Sequence, residues 1–274
     1  MLNDELVKTG FVEVPGARLY YELAGEGEPL VFLHGGCLDG RMWEEQFLFF
    51  ARHYQVIRYD ARCSGRSESL PSAEPYVHYQ DLYRLLQALH ISRASLVGLS
   101  GGARISIDMA IAHPEMVRKL VAVSPGISGS EFVDEWTNQR FVEFGEASSR
   151  GDLAQTVEVF MRMWVYGPYR DAEQVDPELR ERTRAMTTRA IAQGAHMLDI
   201  HELEPPAIGR LREIQVPTLI ILGDKDTSDI HRLGEQLHKQ VAGSELTMFA
   251  DVAHALNMEK PDEFNQLVAR FLRG

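Results

Sequence analysis

The sequence predicts an α/β fold: a mostly parallel central sheet with helices on both faces and an inserted helical cap. Three observations predict it. Short apolar, often β-branched runs alternate with helical patterns, the signature of parallel strands joined by covering helices. A chain of 274 residues is long enough to bury about three quarters of its unfolded surface in one core. The stretch from Gly126 to about Pro206 interrupts the alternation with helical sequence alone.

At the N-terminal side, Phe11 to Val14 and Leu19 to Leu23 flank Pro15 and Gly16, so they read as a hairpin leading into the sheet. Leu30 to Leu33, Val56 to Tyr59, Leu96 to Leu99, Leu120 to Val123 and Thr218 to Leu222 are continuous apolar runs, as strands buried on both faces should be. Leu246 to Phe249 is the last expected strand. Helices are expected over Asp81 to His90, over Gly102 to His113 with Pro114 just beyond, and over Asp262 to Leu272 after Pro261. The last places Phe264, Leu267, Val268, Phe271 and Leu272 on one face, which predicts packing on the sheet. Residues 1–125 and 207–274 are expected to form the core, and residues 126–206 the cap.

Composition removes several functional classes. Lys and Arg total 28 against 40 Asp and Glu, a formal net charge of −12, which opposes attraction to nucleic acid or to an anionic membrane face. No stretch approaches a membrane-spanning length, and Met1 to Gly10 lacks the basic start and apolar core of a signal peptide. A soluble, cytoplasmic protein is expected. Cys37 and Cys63 are too few for a disulfide framework and lack the paired spacing of a zinc site, so both are expected to be free thiols. Oligomeric state is not readable from these features.

The segment Gly98-Leu99-Ser100-Gly101-Gly102 closes an apolar run and opens a helical pattern. A strand that turns abruptly into a helix throws the turning side chain clear of the sheet and leaves room only for small neighbours, which makes Ser100 a candidate nucleophile. Loops at the carboxyl ends of parallel strands converge on one edge, so partners of Ser100 should follow other strands. Asp224 and Asp226 follow the Thr218 to Leu222 run, and His254 follows the Leu246 to Phe249 run. Asp226, three residues after Gly223, is favoured over Asp224 and over Asp229, which sits where a helix should begin. Among ten histidines, His90 and His113 fall at helix ends, and His34 is expected to support a loop. His196 and His201 lie in the cap.

With these residues in place, the chain resembles the α/β-hydrolase fold family over nearly its whole length. The resemblance is carried by His34-Gly35-Gly36, by Asp60-Ala61-Arg62-Cys63-Ser64-Gly65-Arg66-Ser67, by the Ser100 turn, by Gly223-Asp224-Lys225-Asp226, and by Ala253-His254 with Glu259-Lys260-Pro261. Cys63 stands where glycine is usual, and Ala103 where a further glycine often follows. The resemblance implies a triad in which Ser100 attacks a carbonyl, His254 removes and returns the proton, and Asp226 orients the imidazole. It also implies an oxyanion hole of backbone N–H groups from Gly36 and Gly101, with Cys37 as an alternative donor.

Serine at the turn, where epoxide hydrolases and haloalkane dehalogenases carry aspartate and dienelactone-type hydrolases cysteine, implies acyl transfer: hydrolysis of a carboxylic ester through an acyl-enzyme. A lactonase, a C–C bond hydrolase or a perhydrolase would use the same triad, and a receptor that binds a small molecule under the cap is the non-catalytic alternative. The expected partner is a small-molecule ester or lactone, and the mechanism calls for no cofactor or metal. Trp136 and Trp164, with Tyr166 and Tyr169 nearby, are the expected pocket residues of the cap. Trp43 is expected to serve packing alone.

Overall fold

The computed structural model describes residues 7–69, 76–197 and 200–274. The expectation of no N-terminal leader therefore falls partly on residues 1–6, outside the described residues. Eleven strands are present among them: β1 (Lys8–Val14), β2 (Ala17–Ala24), β3 (Pro29–Leu33), β4 (Gln55–Tyr59), β5 (Glu68–Ser69), β6 (Tyr76–Val77), β7 (Ala94–Leu99), β8 (Val117–Val123), β9 (Ile200–His201), β10 (Thr218–Gly223) and β11 (Glu245–Phe249). The main sheet runs β1-β2-β4-β3-β7-β8-β10-β11, with β5 on the side of β2. From β4 to β11 every pairing is parallel, and β1 and β2 form an antiparallel edge. Two short pairings escaped sequence reasoning: β5 on β2, and β6 parallel to β9. Strands of two residues carry too little periodicity to be read.

The helices are α1 (Glu44–Phe50), α2 (His78–Ala88), α3 (Gly101–Ala112), α4 (Glu135–Ser149), α5 (Leu153–Phe160), α6 (Pro177–Ala192), α7 (Ser228–Gln240), α8 (Leu256–Glu259) and α9 (Pro261–Arg273). Alternate residues of each parallel strand feed two cores. Leu120, Ala122, Ile220 and Leu222 face one core with Ile107 of α3, Leu82 of α2 and Leu233 of α7. Val121, Val123, Leu219 and Ile221 face the other with Phe47 of α1 and Phe264 of α9. This is why the central strands are apolar throughout: neither face sees water. Trp43 is fully buried in the second core and packs against Phe32 and Phe264.

Between β8 and β10 the chain leaves the sheet and builds α4, α5 and α6. Asp134, Asp152 and Asp176 start these helices, each accepting a hydrogen bond from the first turn. α5 runs directly into one turn and a half of π-helix, Met161–Tyr166, closed by Gly167 at φ 76° with an N–H to Arg162 O bond of 3.1 Å. The wider turn shifts the register of side chains by comparison with an α-helix, and such turns frequently mark functional sites. No helix among the described residues is long and apolar enough to cross a membrane.

Candidate active site

Ser100 lies between β7 and α3 with φ 56° and ψ −111°, a left-handed conformation that costs a non-glycine residue on the order of 1–3 kcal/mol. Its backbone is held from three directions: its N–H donates to Val123 O at 2.9 Å, and its carbonyl accepts from Arg104 N and Gly126 N. The flanking glycines are required by space. A Cβ at Gly98 would strike the Gly102 backbone, and one at Gly102 would strike the carbonyl of Leu33.

The acid and base arrive on adjacent strands. β10 and β11 pair in parallel, and beyond their ends Asp224 N donates to Phe249 O and Lys225 N to Val252 O, both at 2.9 Å. Gly223 permits this approach, since a Cβ there would meet the carbonyls of Val252 and Ala253. The result is a 2.8 Å hydrogen bond between His254 Nδ1 and Asp226 Oδ2, with both side chains buried. Asp226 Oδ1 accepts from Thr227 N at 2.8 Å, which fixes the carboxylate plane. The two competing aspartates are committed elsewhere: Asp224 pairs with Lys225, while Asp229 accepts from Val133 N, Asp134 N and Arg232. The other imidazole nitrogen, His254 Nε2, is buried with no partner among the described residues. A carboxylate on Nδ1 holds the proton there and leaves Nε2 as the free base.

Ser100 and His254 open onto one cavity of about 460 Å³, which Gly36, Cys37 and Gly101 also line. The N–H groups of Gly36 and Cys37 donate to nothing among the described residues, and that of Gly101, first in α3, has no intrahelical acceptor. Three unspent amides thus stand beside Ser100 at a positive helix terminus. His34 supports their loop: its Nε2 accepts from Ala61 N at 2.9 Å while Nδ1 donates to Gly35 O at 2.8 Å. Cys37 has φ 53°, and burial pushes its thiol up to about 12, so it stays protonated and is no rival nucleophile. Cys63 has φ 54°, the left-handed conformation that accounts for glycine being usual at that position. Both thiols are free.

The opposite wall comes from the segment between β8 and β10, and here the sequence expectations need correction. Trp164, on the π-helix, lines the cavity and lies 4.5 Å from His254 between ring centroids. Trp136 does not line it: one turn from Arg140 on α4, its ring is covered by that guanidinium at 5.1 Å. Tyr166 is buried with its hydroxyl toward Arg184, and Tyr169 is exposed. In their place the wall holds Phe132, Phe141, Phe144 and Phe160. His196 also lines the cavity, its Nε2 2.8 Å from Ser148 Oγ, whereas His201 is exposed outside it. Sequence reasoning passed over Arg104 and Glu202, which reach the same cavity as an ion pair of 3.1 Å. The signal for Arg104 was present: it lies four residues after Ser100, in the first turn of α3.

Comparison with known proteins agrees with this architecture. The chain is 28% identical over 271 residues to pimeloyl-[acyl-carrier protein] methyl ester esterase of Nitrosospira multiformis, covering 93% of this chain and 98% of the relative. It is 29% identical over 272 residues to 2-hydroxy-6-oxo-6-phenylhexa-2,4-dienoate hydrolase of Comamonas testosteroni, covering 93% and 91%. The solved structure of a hydrolase from Pseudomonas aeruginosa superposes with a TM-score of 0.79 at 28% identity, covering 97% of this chain and 98% of that one. The model of the alpha/beta hydrolase family matches residues 30–267, and the chain belongs to that family.

Proposed function

We propose that the protein is a serine hydrolase that cleaves carboxylic esters through an acyl-enzyme, with Ser100 as nucleophile, His254 as general base and acid, and Asp226 as the orienting carboxylate. The observation that carries the reading is the convergence of a strained Ser100 and a buried His254, held by Asp226 at 2.8 Å, on one cavity. As Ser100 Oγ attacks the ester carbonyl, His254 Nε2 takes the hydroxyl proton. The carbonyl oxygen becomes an oxyanion in front of the Gly36 or Cys37 amide and the Gly101 amide. His254 then gives its proton to the departing alkoxide, which leaves as the alcohol. Water repeats the attack on the acyl-serine, with Nε2 again taking the proton, and the acid is released as Ser100 recovers its own.

The segment over residues 126–206 acts as a cap in this reading. Its phenylalanines and Trp164 exclude water and bind an apolar part of the substrate, which strengthens every electrostatic interaction beneath them. A relative named as an ester esterase supports this bond type; a relative named as a dienoate hydrolase marks C–C cleavage as the chemistry to test beside it.

A panel of para-nitrophenyl esters and lactones, assayed with the wild type and with Ser100→Ala, tests the reading. Ester turnover that falls on the order of a millionfold in the variant supports it. Turnover of lactones without esters, or equal activity in the variant, contradicts it.

A further inference from the structure

We propose that Arg104, held by Glu202, is a polar subsite that selects substrates carrying a second, uncharged hydrogen-bond acceptor a few bonds from the scissile carbonyl. The inference rests on the serine-hydrolase reading above. Arg104 lies four residues after Ser100, in the first turn of α3; its backbone N–H donates to Ser100 O, and both residues line the cavity. Its Nη1 donates to Glu202 Oε1 at 3.1 Å, the one hydrogen bond of the guanidinium among the described residues. A guanidinium carries five N–H donors, four of them here without a partner among the described residues, and Arg104 lines a cavity whose other walls include Ile127, Phe132 and Phe141. Donors left unspent in a mostly apolar cavity favour a ligand that brings an acceptor, because displacing their water with a methylene leaves them unpaired.

Glu202 decides the charge of that acceptor. Its Oε1 takes the Arg104 bond and its Oε2 accepts from Gly129 N at 2.6 Å, so it is anchored beside the guanidinium and offsets its charge. A substrate carboxylate would meet Glu202 as well as Arg104 and would surrender its hydration for no net attraction. A keto or amide carbonyl carries no such cost, and hydrogen-bonds to the remaining donors. Two other polar side chains of the cavity are spent locally: Ser130 donates to Ile127 O and Thr183 to Leu179 O.

Three para-nitrophenyl esters of matched length test this: the pentanoate, the levulinate, which adds a neutral ketone, and the hemiglutarate, which adds a carboxylate. The readout is the ratio of kcat/KM values, which a purely structural role of the ion pair would leave unchanged. In the wild type the levulinate to pentanoate ratio is expected to be about tenfold or more, and the hemiglutarate to pentanoate ratio below one. Arg104→Leu brings the first ratio close to one. The isosteric Glu202→Gln, which removes charge without volume, raises the second about tenfold or more. A first ratio near one in the wild type, the same ratio in Arg104→Leu, or a second ratio unmoved by Glu202→Gln overturns the proposal. Labelling by a fluorophosphonate separates the two levels. A labelled wild type that hydrolyses the pentanoate with a flat first ratio sinks the subsite alone. A wild type that neither labels nor hydrolyses any of the three sinks the serine-hydrolase reading and the subsite with it.

Discussion

Arg170 and Glu259 form a two-point ion pair, with Nη1 to Oε2 at 2.6 Å and Nη2 to Oε1 at 3.0 Å, that ties the π-helix to the loop carrying His254. All five N–H groups of the guanidinium are used. Nε donates to Tyr166 O and Nη2 also to Val165 O, which satisfies carbonyls left open at the end of the π-helix, while Nη1 also reaches Asp251 O. Glu259 in turn accepts from Ala253 N. One arginine therefore fixes both Trp164, through its helix, and His254, through its loop.

The side chains of this pair are only 6% and 10% exposed, so its loss falls in the buried regime, where removing one partner strands a charge. Arg170→Met is expected to lower stability by about 3–5 kcal/mol in urea denaturation, and Arg170→Met with Glu259→Met to recover part of that loss. Equal destabilisation by the single and double variants would mean that the pair contributes packing rather than charge compensation.

Asp226→Asn keeps the volume of the carboxylate but presents an amide to His254 Nδ1, which favours the tautomer with its proton on Nε2. The expected loss in kcat is on the order of ten-thousandfold with little change in thermal unfolding. A loss of less than tenfold in steady-state assays would remove Asp226 from the role proposed for it.

Burial pushes the Asp108 carboxyl on α3 up to about 6, against a hydrogen bond from Ser128 Oγ that pulls it down. Below pH 3.8 the group is protonated in the folded and the unfolded chain alike. Between 3.8 and about 6 only the unfolded chain ionises, so stability falls as pH rises, by up to about 3 kcal/mol. Asp108→Asn, which still accepts from Ser128, should raise the melting temperature by several degrees at pH 8 and hardly at all at pH 4. An equal shift at both pH values would assign the effect to something other than ionisation.

The glycines around Ser100 are unequal. Gly102→Ala would press a methyl group into the carbonyl of Leu33, whereas a Cβ at Gly36 meets nothing within 4 Å. Gly102→Ala is expected to abolish soluble folding or lower the melting temperature by more than about ten degrees, and Gly36→Ala to leave it within about two. Thermal unfolding of both variants checks the contrast, and similar melting temperatures would contradict it.

The parallel core was legible because strands buried on both faces are apolar without interruption, as Val121 and Ala122 illustrate by feeding opposite cores from adjacent positions. Ser100, Asp226 and His254 were legible because the ends of parallel strands form one edge, so residues remote in sequence can be assigned to one place. The distal wall was not. Which face of α4 looks inward depends on how it lies across the sheet, and nothing in its own sequence says so: Phe141 and Phe144 line the cavity while Trp136, in the same helix, does not. A helical period of 3.6 misplaces residues inside a π-turn: Met163, Trp164 and Val165 in succession all line the cavity, whereas Tyr166 turns its hydroxyl to Arg184. Arg170 and Glu259 lie 89 residues apart, beyond any local pattern.

The central claim is that Ser100 carries the acyl group, and the most direct measurement is intact-protein mass spectrometry after reaction with a fluorophosphonate, followed by peptide mapping. The account predicts one adduct per chain, located on Ser100, absent from Ser100→Ala and formed far more slowly in a His254→Ala variant. An unmodified wild type, or an adduct that persists in Ser100→Ala, would contradict it.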